Sequence, residues 1–192
     1  YTPDSGLSLQ GITFQLKRNT VLGIIGPTGS GKTTLTQLIP RFYDVSSGTV
    51  IMDGMDVRSW QLDHLRQQIA LVPQTSVLFT GTIRENLQWG KQDATEDECW
   101  EALKIAQAEE FVRQLPNGLD TKVMENGKNF SGGQKQRLTI ARALIAKPEL
   151  LILDDSLSAL DYQTDLDLRK ALQTYLGSTV IIISQRVRSI QD

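Results

Sequence analysis

A glycine-rich loop between an apolar run and a helix pattern constrains the fold of this chain more than any other feature. Residues 26–33 read Gly-Pro-Thr-Gly-Ser-Gly-Lys-Thr, which is a complete P-loop pattern. The preceding run 21–25 is apolar, as a buried strand requires, and the helix pattern that begins at Lys32 stops before Pro40. Such a loop turns its backbone N–H groups towards phosphate oxygens. The sequence therefore predicts a strand–loop–helix unit that binds a phosphorylated ligand.

The residues that phosphate binding needs are present in the loop and in a second motif further along the chain. Lys32 can reach the β- and γ-phosphates of a nucleotide, and the Thr33 hydroxyl can ligate Mg²⁺. The apolar run 150–153 ends in Asp154, and a carboxylate at a strand end beside a P-loop can hold the water shell of that ion. The candidate nucleotide-binding residues are therefore Gly26, Pro27, Thr28, Gly29, Ser30, Gly31, Lys32, Thr33, Thr34 and Asp154.

The composition is that of a near-neutral globular domain with one cysteine and one histidine. The 192 residues are 40% hydrophobic and 22% charged, and 20 Lys and Arg against 22 Asp and Glu give a net charge of −2. This balance argues against a nucleic-acid partner. Cys99 alone excludes an internal disulfide and a cysteine-based zinc site, and His64 alone excludes chemistry that needs a histidine pair. No apolar run approaches the roughly 18 residues of a membrane span.

Further apolar runs predict the rest of a sheet. Residues 150–153 and 180–183 are continuously apolar, as expected of parallel strands that are covered on both faces. Residues 49–52 suit a short edge strand before an Asp-Gly turn, and residues 62–69 suit an amphipathic helix. The expected fold class is therefore α/β with a parallel sheet, and the P-loop makes this core resemble that of a P-loop NTPase (RecA-like).

Two capping-box patterns predict helices in the middle of the chain. Thr95 with Glu98 has the first, and it predicts a helix over 96–114 that closes before a Pro-Asn-Gly turn. Residues 131–134 have the second, and the helix that follows is expected to reach Ala146, because a Lys-Pro pair comes next. The middle of the chain is therefore expected to be mostly helical.

These patterns predict one nucleotide-binding domain over residues 1–192. Its α/β core comprises 1–74 and 147–192, and residues 75–146 form a helical subdomain inserted in that core. The chain begins with a residue other than methionine and stops shortly after a predicted strand, so we expect it to be a segment of a longer polypeptide.

A short segment ahead of the 150–153 run carries a family resemblance. Residues 130–136 read Phe-Ser-Gly-Gly-Gln-Lys-Gln, and together with the P-loop and Asp154 they make nearly the whole chain resemble the ATP-binding-cassette (ABC) ATPases. In that family this signature caps a helix that faces the ATP of a second cassette, so that two cassettes close head-to-tail around two nucleotides. The resemblance implies that the D-loop residues Ser158 and Asp161 cross to the partner and that the signature residues acting in trans are Ser131, Gly132, Gly133 and Gln134.

The resemblance also implies roles for other residues. Tyr1 resembles the aromatic residue that stacks on adenine, and Gln74 resembles the glutamine that contacts Mg²⁺ and senses the transmembrane domains. Segments 78–83 and 121–127 resemble those of exporters rather than importers. The resemblance thus implies ATP and Mg²⁺ as cofactors, transmembrane domains of a parent transporter as partners, and a place at the cytoplasmic face of a membrane. The implied metal ligands, partly through water, are Thr33, Gln74 and Asp154.

Two positions depart from the family pattern, and both would act on the chain's own nucleotide. Family members that hydrolyse ATP efficiently have a glutamate directly after the magnesium aspartate, where this chain has Asp155, which is one methylene shorter. The family places a switch histidine where this chain has Gln185, whose amide can donate a hydrogen bond but cannot relay a proton near neutral pH. The candidate catalytic residues are Asp155, Gln185 and Gln74, and we expect this site to bind ATP while hydrolysing it weakly.

The residues that depart from the family pattern act on the chain's own nucleotide, whereas the signature and the D-loop, which act on the partner's nucleotide, match the pattern. This combination favours a heterodimer. The pattern resembles the degenerate half of heterodimeric, multidrug-type exporters, whose partner cassette has its own glutamate and histidine. If both substitutions are tolerated, the chain is instead part of a self-sufficient homodimeric transport ATPase with Asp155 as the base. A further alternative is an ATP-dependent structural or regulatory clamp of the ABC family, although the sequence has neither heptads nor a second cassette.

Overall fold

The fold is an alternation of strands and helices, which confirms the predicted α/β class. The computed structural model describes residues 9–175 and 177–185. Along these residues the strands are β1 (Val21–Ile25), β2 (Ile51–Met52), β3 (Met55–Asp56), β4 (Ile69–Val72), β5 (Gly81–Thr82), β6 (Lys122–Val123), β7 (Leu150–Asp154) and β8 (Thr179–Ser184). The α-helices are α1 (Lys32–Leu38), α2 (Leu62–Gln67), α3 (Ile83–Gln88), α4 (Glu96–Ile105), α5 (Glu109–Gln114), α6 (Gly132–Leu144) and α7 (Tyr162–Tyr175). None of the helices in the described ranges combines the length and the apolarity that a membrane span needs.

Four parallel strands form the central sheet in the order β1, β8, β7, β4. Successive side chains of a strand point to opposite faces. Leu151 and Ile182 accordingly pack in one buried cluster with the helices α3 to α7, whereas Ile152 and Ile181 pack in a second cluster on the other face. Because both faces are covered, the middle strands have continuous apolar runs, and all three strands predicted from such runs are confirmed.

The single helix predicted over 96–114 is wrong, because the chain breaks into α4 and α5. Gln107 between them adopts a left-handed conformation with a φ of 58°. The Ala108 N–H bonds the Leu103 carbonyl at 2.7 Å, which closes α4 as a Schellman turn does. The Arg137 guanidinium donates to the Gln107 carbonyl at 2.6 Å and stabilises the break from α6. Since neither Gly nor Pro marks this break, the local sequence carries no signal for it.

Residues 49–52 contribute to a hairpin that is separate from the central sheet. β2 pairs with β3 in antiparallel fashion across Asp53 and Gly54, whose φ angles are 51° and 77°. Two consecutive left-handed residues are typical of a type I′ turn, for which Asp-Gly is a preferred sequence. The short edge strand predicted over 49–52 is present at Ile51–Met52, and it pairs with β3 rather than with a strand of the central sheet.

Helices α3 to α6 and the short antiparallel β5–β6 pair lie between residues 75 and 146. The predicted capping boxes at Thr95 and Ser131 are both present at the starts of α4 and α6. A third box, at Thr82, starts α3 and was not predicted. The assignment of this stretch to an inserted subdomain stays a prediction.

Replacing Gly90 with alanine should destabilise the fold, because Gly90 lies directly against α6. An added Cβ would come within 2.0 Å of the Arg142 carbonyl oxygen and 2.8 Å of Ile145 Cγ2. Backbone cannot move aside as a flexible side chain can. We therefore expect Gly90→Ala to lower the free energy of unfolding by about 1–3 kcal/mol, as overpacked positions generally do, measured by thermal or denaturant unfolding.

Gly132→Ala is the matched control for this experiment, because no heavy atom lies within 4 Å of a Cβ added there. If the Gly90→Ala protein were as stable as the Gly132→Ala protein, the close approach of this turn to α6 would be contradicted.

Candidate functional site

The predicted cis-acting site residues gather at one edge of the central sheet. All four strands run parallel, so their carboxyl ends meet at the same edge. The P-loop follows β1, Gln74 follows β4, Asp154 ends β7 with Asp155 next in the chain, and Gln185 follows β8. This edge is the usual place for a ligand in an open α/β sheet.

The P-loop between β1 and α1 is held in a tight turn. Gly29 and Gly31 have φ angles of 81° and 86°, which favour glycine, and a Cβ at Gly26 would come within 2.8 Å of the Ser30 hydroxyl oxygen. The Lys32 ammonium donates to the carbonyl oxygens of Gly26 and Pro27, both at 2.7 Å. It also contacts the Ser30 hydroxyl at 3.2 Å. The loop therefore holds a cation beside its own concave backbone, which suits an anionic phosphate group.

Thr33 and Asp154 form a pair of oxygen donors next to this loop. The Thr33 hydroxyl donates to Asp154 Oδ1 at 3.2 Å. Asp154 is 8% exposed, and burial raises the pKa of its carboxyl group, although the Thr33 hydrogen bond lowers it. Neighbouring Asp155 raises this pKa further, and Lys32 lowers it. Asp154 is thus a buried carboxylate whose charge is poorly compensated by the protein itself.

This donor set fits a Mg²⁺ ion that is shared with a nucleotide. Mg²⁺ prefers oxygen ligands and is usually held by one or two protein groups together with phosphates and water. Asp154 and Thr33 supply such oxygens, and an added cation would compensate the buried charge of Asp154. Within residues 9–175 and 177–185, no group of three or more His, Cys, Asp and Glu side chains could hold a metal ion alone.

Asp155 is the point where the three candidate catalytic residues meet. Its backbone is left-handed, with a φ of 46°, and the residue is buried, with 9% of its surface exposed. Asp155 Oδ2 accepts hydrogen bonds from Gln74 Nε2 and from Gln185 Nε2, both at 3.1 Å. Gln185 Oε1 in turn accepts a hydrogen bond from the Thr28 hydroxyl at 3.2 Å. Sequence reasoning missed this last contact, because nothing in a P-loop pattern indicates which side chain its third residue will meet.

The signature and the D-loop form a second group of site residues. The Ser131 hydroxyl accepts from the Gln134 N–H at 3.2 Å, and Gln134 Oε1 accepts from the Ser131 N–H at 2.9 Å, so the two residues cap α6. A Cβ at Gly133 would lie 3.4 Å from the Ala159 carbonyl oxygen in the D-loop. Among the described residues, no side-chain hydrogen bond of Ser131 or Gln134 reaches the P-loop.

The D-loop is attached to the strand-end residues on one side and to α7 on the other. The Ser158 hydroxyl donates to the Asp155 carbonyl at 2.8 Å. Asp161 accepts from the N–H and the hydroxyl of Thr164, at 3.0 and 2.7 Å, and these hydrogen bonds lower its pKa. The D-loop therefore connects the turn after β7 to the start of α7.

Tyr1 lies outside the described residues, so its predicted contact with adenine stays a prediction. Thr34 lies in α1 directly behind the P-loop. The structure thus brings the cis-acting residues together and places the signature residues in a separate group with the D-loop.

Removing the charge of Asp154 should stabilise the protein when it is free of nucleotide and Mg²⁺. Its carboxyl pKa is raised above the ordinary value of 3.8, mainly by burial. A carboxylate with a raised folded-state pKa opposes folding once it is ionised, so its contribution to stability falls as the pH rises through that pKa. Asp154→Asn should therefore raise the melting temperature near neutral pH, and the gain should shrink as the pH falls towards about 4.

Asp161→Asn is the control of opposite sign. The pKa of Asp161 is lowered, so its stabilising contribution is present above its unfolded-state pKa and is lost as the pH falls. Asp161→Asn should lower the melting temperature near neutral pH. If the melting temperature of the Asp154→Asn protein at neutral pH were lower than that of the unmodified protein, the proposed destabilising effect of the Asp154 charge would be contradicted.

Comparisons with known proteins agree with this geometry. The family model described as "ABC transporter" matches residues 9–158. The chain is 49% identical over 180 residues to an uncharacterised ABC transporter ATP-binding protein, YfiB, of Bacillus subtilis, covering 94% of this chain and 31% of the relative. It is 44% identical over 185 residues to an ATP-dependent lipid A-core flippase of Desulfotalea psychrophila, covering 96% of this chain and 32% of that protein. The chain thus spans about a third of the length of these relatives.

A solved structure shares the whole fold. A bacterial Atm1-family ABC exporter with ATP bound superposes with a TM-score of 0.92 at 37% sequence identity, covering 99% of this chain and 34% of that one. The chain therefore belongs to the ABC transporter family, and its P-loop α/β fold is that of an ATP-binding domain of this family.

Proposed function

We propose that this chain is the Mg-ATP-binding, energy-coupling domain of an ABC exporter, and that its own site binds ATP but hydrolyses it slowly. The exporter assignment is supported by the relatives, which include an ATP-dependent lipid A-core flippase and an Atm1-family exporter. Slow hydrolysis is supported above all by the surroundings of Asp155, whose Oδ2 accepts two amide hydrogen bonds at 3.1 Å.

ATP binding rests on the P-loop and its neighbours. The backbone N–H groups of the P-loop residues other than Pro27, together with the Lys32 ammonium, bind the phosphates, and Tyr1 stacks on the adenine. Thr33, Gln74 and Asp154 would hold Mg²⁺, partly through water. When bound, this ion would supply positive charge that offsets the charge of the phosphate groups. The buried carboxylate of Asp154 supports this assignment, because burial opposes its negative charge and a bound cation would offset that effect.

Slow hydrolysis follows from what Asp155 and Gln185 can do. A general base must lie within about 2.6–3.2 Å of its proton donor, directly or through one water molecule. The side chain of Asp155 is one methylene shorter than glutamate, and the amides of Gln74 and Gln185 already bind one of its oxygens. A glutamine cannot become cationic or relay a proton near neutral pH. Asp155 and Gln185 therefore bind each other at the nucleotide site, but Asp155 is poorly placed to act as the general base.

The groups that act on a partner's nucleotide are intact, which favours a heterodimer. Ser131 and Gly132 are exposed at the start of α6, where a second ABC domain can reach them. The D-loop residues Ser158 and Asp161 are exposed as well. In the proposed head-to-tail pair, this chain completes the hydrolytic site of a partner that has its own glutamate and histidine. The pair lies at the cytoplasmic face of a membrane. When ATP binding closes it, Gln74 and the segment 121–127 pass this closure to the transmembrane domains of the parent transporter.

Restoring the family residues at both departing positions should accelerate hydrolysis. In the full-length protein, Asp155→Glu combined with Gln185→His should raise ATP turnover at this site by at least about tenfold, since a well-placed general base contributes roughly 10²–10⁴-fold. Turnover is measured as phosphate release, with the protein alone and with its partner subunit. Asp155→Asn with Gln185→His is the matched control, because it has the same switch residue but no base.

Two outcomes would contradict the proposal. High ATP turnover by the unmodified protein alone would favour the self-sufficient homodimeric ATPase, in which Asp155 serves as the base. Unchanged turnover at this site after both residues are restored would show that the two cis-acting substitutions do not limit hydrolysis.

A further inference from the structure

The hydrogen bonds at the carboxyl edge follow the order of the strands. Thr28 lies after β1, Gln185 after β8, Asp155 after β7 and Gln74 after β4, and the strands lie side by side in that same order. Each neighbouring pair is joined by one side-chain hydrogen bond, at 3.2 Å between the first two residues and 3.1 Å for the other two pairs. We call these four residues the strand-end network. It connects the P-loop to the segment after β4 through side chains alone.

The chemistry of the groups fixes the direction of each bond in the strand-end network. An ionised carboxylate only accepts hydrogen bonds, so Gln185 must present its NH₂ group to Asp155. Its carbonyl oxygen then faces Thr28, and the Thr28 hydroxyl must donate to it. An amide has a donor and an acceptor on one carbon atom, which is what a residue between a hydroxyl and a carboxylate needs. The Gln185 side chain therefore donates to Asp155 with its nitrogen and accepts from Thr28 with its oxygen.

The left-handed backbone conformation of Asp155 is maintained by the contacts around it. A residue other than glycine keeps such a conformation only where its surroundings determine it. The Asp155 N–H donates to the Ile183 carbonyl at 3.0 Å, and the Ser158 hydroxyl donates to the Asp155 carbonyl at 2.8 Å. The backbone is thus held by β8 and the D-loop, whereas the side chain is held by the amides of Gln74 and Gln185.

We infer that Thr28 is a positioning residue, which sets the orientation of the Gln185 amide and through it the carboxylate of Asp155. Because Oδ2 is shared by two amides, Oδ1 is the Asp155 oxygen that remains to face a water molecule. Through the same hydrogen bonds, a displacement of Thr28 in the P-loop changes the position of Gln74, which follows β4 at the far end of the strand order. The catalytic consequence rests on the proposed function, whereas the strand-end network itself needs no nucleotide.

Hydrogen exchange in the full-length protein without nucleotide tests the strand-end network directly. Thr28→Val removes the hydroxyl and keeps the shape of the side chain. We expect backbone amides near Asp155 and near Gln74 to exchange about 2- to 10-fold faster in this variant, which is the effect of losing one neutral hydrogen bond. Thr28→Ser keeps a hydroxyl and should restore slow exchange at both segments. A substitution that acted only within the P-loop would leave the segment after β4 unchanged, and that result would overturn the inference.

A double-mutant cycle on ATP turnover tests the positioning role. Thr28→Val should lower the turnover number by about 2- to 10-fold with little change in the KM for ATP, and Thr28→Ser should restore most of the loss. In a Gln185→Met background, where the amide is absent, Thr28→Val should have no further effect. Equal losses in both backgrounds would show that Thr28 acts on the phosphates independently of Gln185 and would overturn the inference. Because the exchange experiment uses no ATP, a failure of the proposed function and a failure of the strand-end network give different results.

Discussion

The parallel alignment of β1, β8, β7 and β4 is the constraint on which the rest of the site depends. It brings the carboxyl ends of four strands to one edge, although the residues there are far apart in sequence. Thr28 and Gln185 are separated by 157 positions and lie within hydrogen-bond distance. Gln74 and Asp155 are separated by 81 positions and are in contact as well. Because apolar side chains cover both faces of the sheet, this edge is where the polar groups of the strand ends collect.

Two adjacent aspartates at the end of one buried strand have different surroundings, and the difference matches their proposed roles. Asp154 lies next to Thr33 and the Lys32 ammonium, on the side of the P-loop. Asp155 turns away in a left-handed conformation and meets two neutral amides. Asp154 is thus placed to hold a cation, whereas Asp155 is held by other side chains. The turn after β7 leads into the D-loop, and the hydrogen bond from the Ser158 hydroxyl to the Asp155 carbonyl links the two groups of site residues.

Much of this arrangement is predictable from the sequence because its signals are local. The P-loop, the apolar runs that form β1, β7 and β8, and the capping boxes at Thr95 and Ser131 each depend on residues close together in the chain. The break at Gln107 depends instead on Arg137, a residue of another helix. The hairpin of β2 and β3 has a clear turn signal, but its separation from the central sheet is a tertiary property. The contact between Thr28 and Gln185 is likewise tertiary, and only the strand order explains it.

We propose that this site holds ATP firmly and hydrolyses it slowly, and a single-turnover experiment on the unmodified full-length protein measures both properties at once. Protein in excess over radiolabelled Mg-ATP, with the partner subunit's own site altered so that it binds no nucleotide, reports only on the nucleotide at this site. We expect nearly all of the label to be bound and to stay ATP for a time much longer than one turnover of the intact pair. Rapid conversion of the bound label to ADP, or a failure to bind it, would overturn the proposed function of this site.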